Sequence, residues 1–347
     1  MTELLDTPTR VGTGRGARNR RAYLMTAMLA AGAFALFVLT MMVGSYSVSA
    51  PDVIASVLHL RENPSVDFIV RDLRLPTAVA GLAVGIALGI SGLLFQRLLG
   101  NPLASPDFVG ISSGASLFAV SAIVLLNAGS TFVSGSALLG ALVSSIMIYL
   151  LAWRDGITGY RFILIGIGVS QLMMSLVGYI VSHASIHEAR EAMTWLVGSV
   201  GQAGSGELRT LVVALVILLP LILALERPLR VLELGDDTAK ALGARVELCR
   251  LALLAVSIVL VGFAVAVAGP IMFVALIAAP IAQRLVGRGA GCVAAAGCVG
   301  AIITLGADLV SHQVLPVDLP TGVITGLIGA PYLIWLLVTV NKEGRGG

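Results

Sequence analysis

Residues 72–97 read D-L-R-L-P-T-A-V-A-G-L-A-V-G-I-A-L-G-I-S-G-L-L-F-Q-R. No charged residue falls between Arg74 and Arg97, and about 20 largely apolar residues are what an α-helix needs to cross a bilayer's hydrocarbon core. Gly81, Gly85 and Gly89 recur every fourth residue, with Ala83 and Ala87 nearby. One stripe of this helix therefore lacks side chains, and a neighbouring helix can approach it closely. The strands of a membrane β-barrel are short and strictly alternating; a continuous Leu, Ala, Val and Gly run is not one of them.

Nine further runs of this kind lie at about 22–44, 107–127, 132–153, 160–182, 208–226, 247–267, 271–287, 291–311 and 321–340. The 347 residues are 57% hydrophobic and 12% charged, with 40 glycines, which is more apolar material than one soluble core of ordinary composition holds. The expectation is an all-α integral membrane protein of ten transmembrane helices. Residues 1–21 and 341–347 are expected as tails around a single membrane domain, 22–340. The first run follows the basic stretch Arg15–Arg21 and precedes Ser-Val-Ser-Ala, but its apolar part is too long for a cleaved signal peptide.

Cations set the expected orientation, because short cytoplasmic loops carry the excess of Lys and Arg. With the N-terminus inside, 17 of the 22 Lys and Arg fall on the cytoplasmic side, so both termini are expected there. This bias accounts for the net charge of +3 without nucleic acid. Cys249, Cys292 and Cys298 form no C-x-x-C pair and read as packing residues rather than a disulfide framework.

Few residues could carry chemistry. The chain has two lysines, Lys240 and Lys342, and neither follows the glycine-rich loop that cradles nucleotide phosphates. The chain is thus not expected to be an enzyme. His183 and His187, four apart with Glu188 beside them, would share a face on one helix; two ligands make a poor metal site, and a solvated helix end is the plainer reading. Asp308 lies inside the ninth run, where an ionisable side chain is costly, and a structural hydrogen-bonding role is expected for it. The loop 229–245, L-R-V-L-E-L-G-D-D-T-A-K-A-L-G-A-R, is amphipathic and broken at Gly235 and Gly243. It has room for one or two short helices that a soluble partner could grip.

Several stretches, taken in order, resemble the permeases of ferric-siderophore, haem and cobalamin ABC importers, the FecCD-type family. They are L-R-L-P at Leu73–Pro76, Gln96 with N-P-L-A-S-P at Asn101–Pro106, S-G-A at Ser113–Ala115, and M-T-W-L-V-G-S around Trp195. L-G-D-D-T-A-K-A-L-G in the loop, A-G-P-I-M-F-V-A-L-I-A-A-P-I-A-Q-R-L-V-G at Ala268–Gly287, Asp308, and D-L-P-T-G-V-I-T-G-L-I-G-A-P-Y at Asp318–Tyr332 complete the set. The resemblance covers nearly everything after residue 70. It implies a type II ABC importer permease fold in the bacterial plasma membrane, working as a dimer with two ATPase subunits and an extracytoplasmic substrate-binding protein. No cofactor is then expected in this chain, since ATP and Mg would sit on the ATPases.

By the same likeness Gly235, Ala239, Leu242 and Gly243 are the segment that contacts the ATPase. Arg74 matches a position that docks the binding protein, with Arg71 beside it; two further basic docking positions are here Thr77 and His312. Thr158, Trp195 and Pro280 are the expected gate or pathway residues, on a path lined by the fifth, eighth and tenth spans. Ile281 stands where many family members have histidine, which favours a different, homologous chain as the second permease. Haem or cobalamin as cargo, and an ion-coupled secondary transporter in place of an ABC importer, are the alternatives.

Overall fold

The computed structural model describes residues 9–44, 46–60, 63–107, 109–154, 159–287, 289, 291–314 and 316–343. In chain order the helices are α1 (Thr9–Met42), α2 (Ala50–Val57), α3 (Pro64–Asp67), α4 (Leu75–Leu99), α5 (Ile111–Leu126), α6 (Ser130–Ala152) and α7 (Gly159–Ser182). They continue with α8 (Ile186–Val197), α9 (Ser205–Leu232), α10 (Asp236–Ala241), α11 (Val246–Ala268), α12 (Val274–Val286), α13 (Cys292–Gln313) and α14 (Thr321–Glu343). A π-helical turn, Phe68–Arg74, joins α3 to α4. No strand occurs among the described residues.

Each of the ten expected runs holds a helix, but their lengths differ from the expectation. Among the described residues eight helical segments are long and apolar enough to cross a membrane; Ile111–Leu126 and Val274–Val286 are shorter. At 1.5 Å per residue α12 spans about 20 Å, short of a hydrocarbon core about 30 Å thick. The first helix also starts at Thr9, so part of the expected N-terminal tail is helical.

The glycine stripe explains why α4 sits at the centre. A Cβ on Gly85 would lie 2.6 Å from both Ala301 Cα and Gly300 O, and one on Gly89 2.2 Å from Ala296 O. Without those carbons the backbones of α4 and α13 meet directly. Gly92 does the same against α12, where a Cβ would lie 1.9 Å from Ala275 O. Of the most apolar stretch of the α3–α4 segment 83% is buried, against 17% for α9 and 11% for the first helix. The former is therefore a core element, while the latter two present apolar surface outward, as lipid-facing helices do.

The shortness of α12 has a backbone cause. The chain leaves α11 through Gly269 at φ +68° and enters α12 through Phe273 at φ +69°, a left-handed conformation costly for a bulky residue. Between them the backbone is non-helical and lies against the turn after α8, where a Cβ on Gly198 would stand 2.8 Å from Pro270 O. Ser199 N donates to Ala268 O at 2.7 Å, and Gly322 N donates to Gly198 O at 3.0 Å.

Candidate functional site

The polar features gather at the two ends of the bundle. One end carries α10; the other carries α2, α3 and α8.

At the first end, α9 runs on to Leu232, and the expected loop contains one short helix, α10, rather than two. Gly235 (φ +95°) and Gly243 (φ +79°) bracket it in conformations that favour glycine, with open space where a Cβ would stand. Ala239 is fully buried, whereas Leu234 and Leu242 are exposed by 60% and 64%. Thus α10 packs by one small residue and offers two leucines outward. Asp236 and Asp237 at its start and Lys240 in its last turn complement the helix dipole.

Two ion pairs hold the start of this segment. Arg97, in the last turn of α4, donates from Nε to Glu233 Oε1 at 2.6 Å and from Nη2 to Glu233 Oε2 at 2.9 Å. Arg250 of α11 donates from Nη2 to both carboxylate oxygens of Asp236, at 2.8 and 3.1 Å, and from Nη1 to Glu247 at 3.0 Å. Close by in the chain, Asp107 precedes α5 and accepts from Ser112 at 2.8 Å and Ser105 at 3.3 Å. Burial pushes its carboxyl up to about 6, against the lowering effect of the two hydroxyls. Asp107, Arg97 and Glu233 carry no local sequence signal for these roles; only the S-P-D-x-x-x-x-S spacing hints at the first.

At the opposite end, Arg74, Thr77, Asp308 and His312 line one cavity of about 440 Å³, together with Thr40, Tyr46 and Gln313. The three positions matched to a docking patch are therefore brought together, but Arg74 is not a free cation. Its Nη1 donates to Met41 O at 2.9 Å and Met42 O at 3.2 Å, and its Nη2 to Tyr46 O. It thus caps the carbonyl end of α1. Arg71 lies outside the cavity, donating to Ser56 O and pairing with Asp67 at 3.6 Å. Thr77 bonds back to Leu73 O at 3.2 Å.

Asp308 is 4% exposed. It accepts from Thr321 Oγ1 at 3.2 Å, and His312 Nδ1 lies 3.4 Å from its Oδ1. Thr321 in turn accepts from Val200 N at 3.4 Å. The carboxylate therefore ties α13 to the start of α14 and, through Thr321, to the turn after α8.

Trp195 lines a second cavity of about 420 Å³ with His187, Arg190, Glu191 and Thr194, all on one face of α8. Pro280 is buried within α12, and Thr158 lies outside the described residues. The paired histidines do not share a helix, since α7 ends at Ser182 and α8 begins at Ile186. Glu188 instead closes a capping box with Ser185, and hydrogen bonds from Ser185, the backbone one foremost, lower its pKa. Among the described residues no cluster of three or more His, Cys, Asp or Glu could hold a metal ion.

A bundle of membrane-spanning helices with a small exposed helix at one end and a charged cavity at the other is the architecture of a transporter's membrane subunit. The chain belongs to the FecCD transport family, whose pattern matches residues 32–339. It is 41% identical over 282 residues to the ferric enterobactin transport system permease protein FepG of Escherichia coli strain K12, covering 80% of this chain and 85% of that protein. It is 39% identical to the achromobactin transport system permease protein CbrC of Dickeya dadantii, covering 87% and 89%. Identity to the hemin transport system permease protein HmuU of Yersinia pestis is 35%, covering 80% and 84%. Among solved structures it resembles an inward-facing putative metal-chelate type ABC transporter, with a TM-score of 0.81 at 26% identity over 90% of this chain and 98% of that one.

Proposed function

We propose that this chain is the permease subunit through which a ferric siderophore crosses the bacterial plasma membrane, driven by ATP hydrolysed on separate subunits. The observation that carries the reading is α10, a short exposed helix set between two membrane spans, flanked by positive-φ glycines and offering Leu234 and Leu242 outward. Such a helix transmits a partner's motion to the bundle through contacts alone. ATP and Mg are assigned to that partner in this reading, which is supported by two lysines that follow no glycine-rich phosphate loop. The cation bias supports a cytoplasmic side for α10 and both termini.

A second permease is supported by α7. Gly168, Gln171, Ser175 and Gly178 form one exposed stripe along it, and a glutamine facing hydrocarbon is costly. A second permease chain facing this stripe across a polar path removes that cost, and Ile281 favours a different homologous chain there. The cavity of Arg74, Asp308 and His312 is the proposed docking site of an extracytoplasmic binding protein, a reading supported by its position at the end opposite α10. The relatives are named for ferric enterobactin, achromobactin and hemin; two of the three are siderophore systems, and this supports a ferric siderophore as cargo.

The test of the α10 assignment is Gly243→Trp. At φ +79° with open space around the Cβ position, the variant strains one surface turn, so it is expected to insert and fold while co-purification with the ATPase subunits is lost. A folded variant that still binds them as the wild type does refutes the assignment.

A further inference from the structure

Glu233 and Asp236 stand on either side of the Gly235 turn, and each is held by an arginine from a different core helix. Arg97 reaches from the last turn of α4; its side chain is 3% exposed against 24% for Glu233. A two-bonded guanidinium–carboxylate fork fixes orientation as well as distance, and a buried one leaves a costly lone charge when either partner is removed. Arg250 reaches Asp236 from α11, its own side chain 14% exposed. Past Asp236 the helix is held by buried Ala239 and ends at Ala241, with Gly243 at φ +79° beyond it. The α9–α10 turn is clamped on both sides while the far end of α10 is open.

Resting on the reading of α10 given above, we propose that Arg97 and Glu233 are positioning residues that turn α10 into a lever with its fulcrum at Gly235. A push on the exposed leucines then moves α4 instead of being absorbed in the loop. The physical reason is where α4 leads. Along its glycine stripe Gly85 and Gly89 meet the α13 backbone, Gly81 meets the Leu305 side chain of α13, and Gly92 meets the α12 backbone at Ala275. Interfaces packed this tightly shift as units, because they have no slack to deform. Displacement at Arg97 is therefore carried along α13 to Asp308, Thr321 and the turn after α8, at the other end of the bundle.

The test needs no knowledge of the cargo. An environment-sensitive fluorophore is placed at Ile186→Cys on α8, 84% exposed, with Cys249, Cys292 and Cys298 changed to alanine. The permease is assembled with its partner permease and ATPases in lipid nanodiscs. ATP binding changes the fluorophore's signal in the parent protein. In Arg97→Gln and in Glu233→Gln the change is expected to fall at least fivefold although the ATPases still bind. The charge-swapped pair Arg97→Glu with Glu233→Arg restores at least half of it, which a general loosening of the fold would not do. Where Arg97→Gln does not fold, Glu233→Gln, on the more exposed partner, carries the comparison. An undiminished signal in folded single variants, or no recovery in the folded swap, overturns the proposal. Failure of the parent permease to bind the ATPases, or to respond to ATP at all, overturns the reading of α10 on which it rests.

Discussion

Asp107 shows how single residues here depend on burial more than on charge. Its carboxyl titrates near 6 in the fold against an ordinary value of 3.8, so the folded chain holds that proton more tightly than the unfolded one. The contribution to stability is most favourable below the ordinary value and is lost as pH rises through 6, by roughly 3 kcal/mol in the limit of full burial. Asp107→Asn, which keeps the shape without the charge, should therefore raise the thermal midpoint in detergent at pH 7.5 and change it little at pH 4. A benefit of equal size at both pH values would count against this account. Residues of this kind were the least legible in the sequence. Glu233 lies 136 positions from Arg97, and a pair so separated has no local pattern. Arg74 illustrates the converse, since a motif match marks the position but not that its guanidinium faces the carbonyls ending α1. Asp308 was more legible, because an acid inside an apolar run must find partners, although its partner Thr321 was not.

Among the elements, α4 was the most readable, since the spacing of Gly81, Gly85 and Gly89 specifies both a helix and a close neighbour. That reading has a stability consequence. Gly85→Val would push a Cβ to within 2.6 Å of Ala301 Cα and Gly300 O, backbone that cannot step aside, and should destabilise the bundle by about 1–3 kcal/mol. Unfolding in detergent, compared with Gly168→Val on the outward stripe of α7 where a Cβ meets nothing, separates packing from helix propensity. Equal effects at the two sites would mean that α4 and α13 are not in backbone contact. The element that hydropathy misjudged is α12. Residues 271–287 are uniformly apolar, so periodicity suggests a full span, whereas the positive φ at Gly269 and Phe273 delays the helix to Val274. Hydropathy reports the environment of a segment and is blind to a backbone that enters it non-helical. The α10 segment was legible for the opposite reason, because Gly235 and Gly243 punctuate a polar loop at both ends.

For the whole molecule, the arrangement joins a tightly packed centre, α4 with α12 and α13, to a clamped lever at one end and a hydrogen-bonded junction of Asp308, Thr321 and the 198–200 turn at the other. The periphery, α1 and α9, is apolar and suited to lipid, while α7 keeps a polar stripe for a partner. The proposed entry point for energy from outside the chain is α10, an exposed element at one end of the bundle. The most direct test is transport in lipid vesicles holding the permease pair with and without the ATPase subunits, with a panel of radiolabelled ferric siderophores and the binding protein on the proposed docking side. Uptake that requires both the ATPases and ATP, and that collapse of the ion gradients leaves intact, is the predicted result; uptake without the ATPases, abolished by collapsing those gradients, would contradict it.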